Sequence, residues 1–69
     1  METKFANNLK NLRKEYKYSQ GALAKILGVT QQCVSEWELC KTEPTLTCLW
    51  KLADIFNLSI DVLCGRTEW

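Results

Sequence analysis

The stretch over residues 19–38 constrains the fold most, because its caps and spacing predict two short helices joined by a tight turn. Ser19 is placed to N-cap the first helix by accepting a hydrogen bond from an amide in its first turn. Gly28 is placed to end that helix, since glycine takes the left-handed conformation without steric cost. Thr30 is then the expected N-cap of the second helix. The apolar residues share one side of each helix: Leu23, Ala24 and Leu27 on the first, Val34 and Trp37 on the second.

The other side of the second helix is polar. Gln31, Gln32, Ser35 and Glu36 remain there once the apolar pair faces inward. Amides and a hydroxyl at the outer N-terminal end of so short a helix are unusual for an element with a purely structural role.

This segment resembles the helix-turn-helix of the phage-repressor-like (Cro/XRE-type) family of DNA-binding proteins. The matching residues lie in register over residues 5–65, nearly the whole chain. They are Leu12-Arg13-Lys14, Leu23-Ala24, Gly28-Val29, Trp37-Glu38, Pro44, Leu49, Leu52-Ala53, Leu58-Ser59 and Leu63. The resemblance implies an all-α fold, a compact five-helix repressor-like domain in which helices 2 and 3 form the helix-turn-helix.

Periodicity and capping predict the remaining helices. Helix 1 is expected over residues 3–16. Helix 4 is expected over residues 46–56, between the cap Thr45 and a left-handed Asn57, and a last helix over residues 60–64, between Ser59 and Gly65. The inward stripes are Phe5, Leu9, Leu12 and Tyr16 on helix 1, and Leu46, Leu49, Leu52, Ala53 and Phe56 on helix 4. Residues 1–69 are therefore expected to form a single domain.

Two positions depart from the family pattern, which has glycine where Lys17 and Cys40 stand. The end of helix 1 is therefore expected to be formed differently here. At Cys40 either a positive φ is tolerated in spite of the side chain, or the loop takes another path.

Composition limits the classes of function. The net charge of +1 argues only weakly for nucleic acid, but residues 1–25 carry six basic and two acidic side chains, whereas residues 26–69 carry three and six. No run of consecutive apolar residues is long enough to span a membrane, and the N-terminus lacks the hydrophobic region of a signal peptide. A cytoplasmic protein is therefore expected. The chain has no histidine, glycine-rich phosphate loop or paired carboxylates, so we expect no enzymatic activity. No small-molecule ligand is evident.

The four cysteines do not predict a metal site. Cys33, Cys40, Cys48 and Cys64 include no pair at the short spacing of zinc ligands, and they fall on separate predicted elements. We expect free thiols and neither metal nor cofactor.

Base contacts are predicted on residues 31–38, the expected recognition helix. Such a helix enters the major groove by its N-terminal end, where glutamine can read adenine through two hydrogen bonds. Gln31, Gln32, Ser35 and Glu36 are the predicted base-contacting residues. Glu36 either accepts a hydrogen bond from cytosine or rejects wrong sites by its charge; the sequence leaves both open.

The resemblance also implies contacts with the DNA backbone. It implies that Gln20 bonds a phosphate and braces Gln31, and that Lys41 lies at a phosphate-contacting position. The remaining predicted phosphate contacts are Lys10, Lys14 and Lys17.

Two further structural roles are predicted. Arg13 and Glu38 are similar to a family ion pair that ties helix 1 to the end of the recognition helix. The last helix carries more apolar surface than it can bury, so a homodimer is expected through Ile60, Val62 and Cys64, bordered by Trp50 and Trp69.

The expected function is therefore sequence-specific binding of double-stranded DNA by a transcriptional regulator, a repressor of phage or bacterial type. The first alternative is an antitoxin-like or partner-binding module that keeps the repressor fold. The second is a metal or redox sensor that switches through Cys33 on the recognition helix.

Overall fold

Five helices form the part of the chain that the computed structural model describes, residues 4–66. They are α1 (Phe5–Glu15), α2 (Gln20–Leu27), α3 (Gln31–Glu38), α4 (Leu46–Phe56) and α5 (Ile60–Leu63). No strand occurs in that range, and the predicted all-α fold is confirmed. None of these helices has the length and apolar character needed to cross a membrane.

Two of the helices are shorter than predicted. Helix α1 begins at Phe5, with Lys4 as its N-cap, and ends before Tyr16, which is its C-cap. The predicted start at Thr3 lies outside the described residues. Helix α5 ends at Leu63, and Cys64 is its C-cap instead of its last residue.

Four of the five helices begin at a hydroxyl side chain, as predicted. In each, the side-chain oxygen accepts a hydrogen bond from the backbone N–H three residues later, which satisfies one of the amides left free by the first turn. The caps are Ser19, Thr30, Thr45 and Ser59, with oxygen–nitrogen distances of 3.0, 3.2, 3.2 and 3.1 Å. Helix α1 has no side-chain cap of this kind.

All five helices end in the same way. A residue with positive φ donates its N–H to the carbonyl three residues before it, and the next residue donates to the carbonyl five residues before itself. The residues with positive φ are Lys17, Gly28, Cys40, Asn57 and Gly65. The expectation that Lys17 would change the end of α1 was therefore wrong, and at Cys40 the positive φ is tolerated.

The inward faces of all five helices meet in one core. Trp37 belongs to it, as predicted, and is 5% exposed. The other core residues are Phe5, Leu9, Leu23, Ala24, Leu27, Val34, Leu52, Phe56 and Leu63.

Two residues predicted to be in the core are exposed instead. Leu46 is 68% exposed, because it begins α4 next to the loop over residues 41–45, which is itself mostly exposed. Tyr16 is 45% exposed. Its ring packs edge-on against Phe56, with centroids 5.1 Å apart, and its hydroxyl donates to the Phe56 carbonyl at 3.2 Å. One side of the tyrosine ring is thus packed while the rest meets solvent.

Residues at the start of α1 also donate hydrogen bonds to the end of α5. Asn8 Nδ2 donates to the carbonyls of Leu63 and Val62, at 3.1 and 3.4 Å. The Lys4 N–H donates to the Cys64 carbonyl at 3.1 Å. The carbonyls of Leu63 and Cys64, which the end of α5 leaves free, are satisfied in this way, whereas the Val62 carbonyl also accepts the N–H of Gly65.

Candidate nucleic-acid interface

Helix α3 packs against α2 and presents polar side chains away from the core. Val34 and Trp37 are its buried residues. Gln31 and Gln32 are exposed in its first turn, whereas Ser35 and Glu36 are half-buried further along. The N-terminal turn of α3 therefore presents two amides to solvent, on a helix whose other side is anchored in the core.

Gln31 lies against the start of α2. A Cβ added to Gly21 would lie 3.5 Å from Gln31 Oε1, which is an ordinary contact distance. The absence of a side chain at Gly21 thus leaves room for the first residue of α3 beside α2.

The predicted brace between Gln20 and Gln31 is not the contact that Gln20 makes. Gln20 Nε2 donates instead to Glu38 Oε1, at 3.1 Å. A carboxylate is a stronger acceptor than a neutral amide, which explains the choice of partner. Sequence reasoning missed this bond because the two residues lie 18 positions apart, on helices whose relative orientation the sequence does not state.

Arg13 and Glu38 form a bidentate ion pair between α1 and the end of α3. Arg13 Nε donates to Glu38 Oε2 at 2.7 Å and Arg13 Nη2 donates to Oε1 at 3.1 Å. The two side chains are 12% and 4% exposed. Arg13 Nη1 also donates to the Tyr18 carbonyl at 3.0 Å, so the guanidinium joins α1, α3 and the turn before α2.

The pair shifts the pKa of both partners towards the charged forms. Burial alone would raise the pKa of Glu38, but the hydrogen bonds from Arg13 and Gln20, with the charges of Arg13 and Lys10, outweigh it and lower that pKa below its ordinary value. The hydrogen bond with Glu38 raises the pKa of Arg13, against the opposing effect of burial. Both groups are charged at neutral pH.

The four lysines predicted to contact phosphate are all exposed: Lys10, Lys14, Lys17 and Lys41. Lys10 is close enough to Glu38 for its charge to influence that carboxylate. Lys17 and Lys41 lie in the turns that follow α1 and α3.

The residues predicted to form a dimer contact are less exposed than their sequence suggests. Ile60, Val62 and Cys64 are each half-buried, whereas Trp50 on α4 is 63% exposed. A shallow cleft of about 200 Å³ lies between Trp50 and Ile60. Trp69 lies outside the described residues.

The four cysteines carry free thiols. Burial, and after it the negative charges of Asp61 and Glu43, raise the pKa of the Cys64 thiol. Within residues 4–66 no group of three or more histidine, cysteine, aspartate or glutamate side chains is arranged to hold a metal ion.

Comparison with known proteins places this geometry in a family. The sequence model of the helix-turn-helix family matches residues 9–63. The chain is similar to a prophage SPbeta-derived HTH-type transcriptional regulator, YonR, of Bacillus subtilis, with 41% identity over 64 residues, which cover 93% of this chain and 59% of that protein. Across the first three relatives it spans between 51% and 59% of their length.

A solved structure with DNA has the same fold. The P22 c2 repressor in complex with a synthetic operator superposes with a TM-score of 0.84 and 32% identity, over 91% of this chain and 96% of the repressor chain. The predicted five-helix, repressor-like fold with a helix-turn-helix is thus confirmed.

The same domain also occurs inside an enzyme. (S)-2-hydroxypropylphosphonic acid epoxidase of Streptomyces wedmorensis is 40% identical over 62 residues, which cover 88% of this chain but only 31% of the enzyme. The similarity is therefore confined to a helix-turn-helix part of a larger protein.

Proposed function

The chain belongs to the helix-turn-helix family, and on that premise we propose that it is a sequence-specific regulator of transcription that binds double-stranded DNA and acts as a repressor. Helix α3 is the proposed recognition helix, entering the major groove by its N-terminal end. Gln31, Gln32, Ser35 and Glu36 are the proposed base contacts. Gln20 and the lysines at 10, 14, 17 and 41 are the proposed contacts with the phosphate backbone.

One observation carries this proposal: the two glutamines at the start of α3 are exposed while the opposite side of that helix is buried at Val34 and Trp37. A helix anchored in this way can present amides to the edges of bases without moving relative to the domain. Glutamine can bond adenine N6 and N7 together, which is worth about 1–3 kcal/mol of discrimination per base.

The test is selection of duplexes from a random DNA library, with Gln31→Ala and Gln32→Ala variants in parallel. We expect enrichment of a defined sequence, and loss of preference at particular positions in each variant. Lys51→Ala, which removes an exposed side chain on α4, is the matched control and should leave the sequence preference unchanged. Absence of enrichment in the native protein would favour the alternative, a partner-binding module with a repressor fold.

We also propose that the regulator acts as a homodimer, through a face formed by α4 and α5. The predicted residues Ile60, Val62 and Cys64 are half-buried, so the exposed ring of Trp50 supplies the additional apolar surface that such a contact needs. Two copies related by a two-fold axis would present two α3 helices to half-sites one helical turn apart.

Light scattering at tens of micromolar, with and without the selected duplex, tests the dimer. The native chain is expected to have twice the monomer mass, and Trp50→Lys to reduce it. Leu39→Lys, which changes a similarly exposed residue (61%) at the end of α3, should not reduce it. A monomer under both conditions would refute the dimer and leave the DNA-binding proposal to its own test.

A further inference from the structure

Three side chains from three helices form one hydrogen-bonded chain beside the proposed DNA-binding surface. Arg13 belongs to α1, Gln20 is the first residue of α2, and Glu38 is the last residue of α3. Glu38 Oε1 accepts from both Arg13 Nη2 and Gln20 Nε2, each at 3.1 Å. The first residue of one helix of the helix-turn-helix is thus tied directly to the last residue of the other.

This arrangement fixes which end of the Gln20 amide faces the protein. An ionised carboxylate only accepts hydrogen bonds, whereas a glutamine amide offers a donor end and an acceptor end. Were the amide reversed, Gln20 Oε1 would face the oxygen of Glu38, and two acceptors would meet. With the side chain of Glu38 only 4% exposed, water has little access to relieve that contact.

The nitrogen of Gln20 has a second hydrogen that Glu38 does not use. Gln20 is half-buried at the first turn of α2, where free backbone N–H groups and the helix dipole favour an anion. A phosphate oxygen, like a carboxylate, only accepts hydrogen bonds. A freely rotating amide would present its oxygen to that anion part of the time.

We propose that Glu38 is a positioning residue for DNA binding: it holds the Gln20 amide in the one orientation that offers an N–H to a backbone phosphate. The inference rests on the proposed function. Arg13 allows it, since its guanidinium neutralises a carboxylate that would otherwise repel the DNA backbone. Because Glu38 is the last residue of the proposed recognition helix, it fixes the position of the phosphate contact relative to the helix proposed to read the bases.

A double-mutant cycle tests this role. The Arg13→Met/Glu38→Leu protein replaces the buried pair with apolar side chains, a change that folded proteins often accept, and circular dichroism checks its helix content. Gln20→Ala is introduced into the native protein and into this background. Affinity is measured for one duplex enriched from the random library and one duplex of scrambled sequence, at constant salt.

We expect Gln20→Ala to weaken binding to both duplexes roughly tenfold in the native protein, as removal of a charge-assisted hydrogen bond should, but by less than about twofold in the apolar background. Lys41→Ala is the matched control, since Lys41 does not bond to Glu38. Its effect should be the same in both backgrounds. An equal effect of Gln20→Ala in the two backgrounds, or a reduced effect of Lys41→Ala alongside it, would overturn the positioning role.

A second measurement needs no substitution at the ion pair. Nitrogen-15 relaxation of the side-chain amides in the free native protein should show the Gln20 amide ordered and that of Gln32, which is exposed, mobile. An equally mobile Gln20 would overturn the inference while leaving DNA binding intact. A native protein that binds neither duplex would overturn the proposed function and the inference together.

Discussion

Lys17 and Cys40 have the same left-handed backbone conformation, with φ of 61° and 62°, at the ends of α1 and α3. In both, the N–H donates to the carbonyl three residues earlier, at 3.0 and 3.2 Å. This conformation brings Cβ close to a carbonyl oxygen and costs about 1–2 kcal/mol for a residue other than glycine or asparagine. Both helices thus end at residues whose side chains oppose the conformation they hold.

Glycine at either position is therefore expected to stabilise the protein. Cys40→Gly and Lys17→Gly should each raise the free energy of unfolding by about 0.5–1 kcal/mol, because relief of strain exceeds the extra entropy that glycine has in the unfolded chain. Urea denaturation followed by circular dichroism measures this.

The reverse change, Gly28→Ala, serves as the control for these two variants. An added Cβ there would meet nothing within 4 Å, so only the φ of 76° opposes it. It should lower the free energy of unfolding by about 0.5–1 kcal/mol, because the lower entropy of alanine in the unfolded chain offsets part of the strain. A loss of stability in Cys40→Gly would contradict the interpretation.

The Arg13–Glu38 pair is expected to matter more when it is broken than when it is replaced. Arg13→Ala leaves the Glu38 carboxylate buried without its main partner and should lower the free energy of unfolding by about 3–5 kcal/mol. Arg13→Met/Glu38→Leu should change it by far less, since no charge remains buried. Chemical denaturation measures the free energy of unfolding of both variants. Equal losses of stability would show that lost side-chain packing, and not the unpaired charge, causes most of the effect.

Acid should weaken the native protein partly through Glu38. Its pKa is lowered in the folded state, so the folded chain binds that proton less tightly than the unfolded chain does. The resulting stabilisation is complete above the ordinary glutamate pKa of about 4.3 and is lost as the pH falls through the lower folded-state value.

Comparison with the Arg13→Met/Glu38→Leu protein isolates this effect. Below about pH 4.3 the stability of the native protein should decline more steeply than that of the variant, because only the native protein has the pair to lose. Thermal melts at a series of pH values measure both slopes. Parallel declines would mean that other carboxylates account for the acid sensitivity.

Salt dependence should distinguish the proposed charged contacts with DNA from the proposed neutral one. If Lys41 neutralises one phosphate, Lys41→Ala should reduce the slope of log K against log salt by about 0.9. Gln20→Ala should weaken binding at every salt concentration with the slope unchanged, since an uncharged amide releases no counterion. Lys51→Ala on α4 should change neither quantity; a changed slope there would show that the slope reports general charge.

Local signals were predicted well because their causes lie within a few residues. A hydroxyl at the residue before a helix can accept the free N–H three residues later without help from distant parts of the chain, and the four caps, Ser19, Thr30, Thr45 and Ser59, form as expected. The left-handed ends at Gly28 and Asn57 follow from backbone sterics in the same way. At Lys17 the helix-end hydrogen bonds form even though a lysine side chain disfavours a positive φ.

Properties that depend on the packing of distant helices were predicted less well. Periodicity places Leu46 on the inner side of α4, but it does not say that the neighbouring structure stops short of the first turn, which leaves that side chain exposed. The bond between Gln20 and Glu38 requires the start of α2 to lie beside the end of α3. No spacing along the chain contains that information.

The bonds from Asn8 to the end of α5 join residues 54 and 55 positions apart. A helix of four residues does not persist alone in water, so α5 depends on a contact that closes only after both ends of the domain have come together. The last helix is thus expected to form late in folding. The face proposed for dimerisation would then exist only on chains that have finished folding, which would keep incomplete molecules from pairing with complete ones.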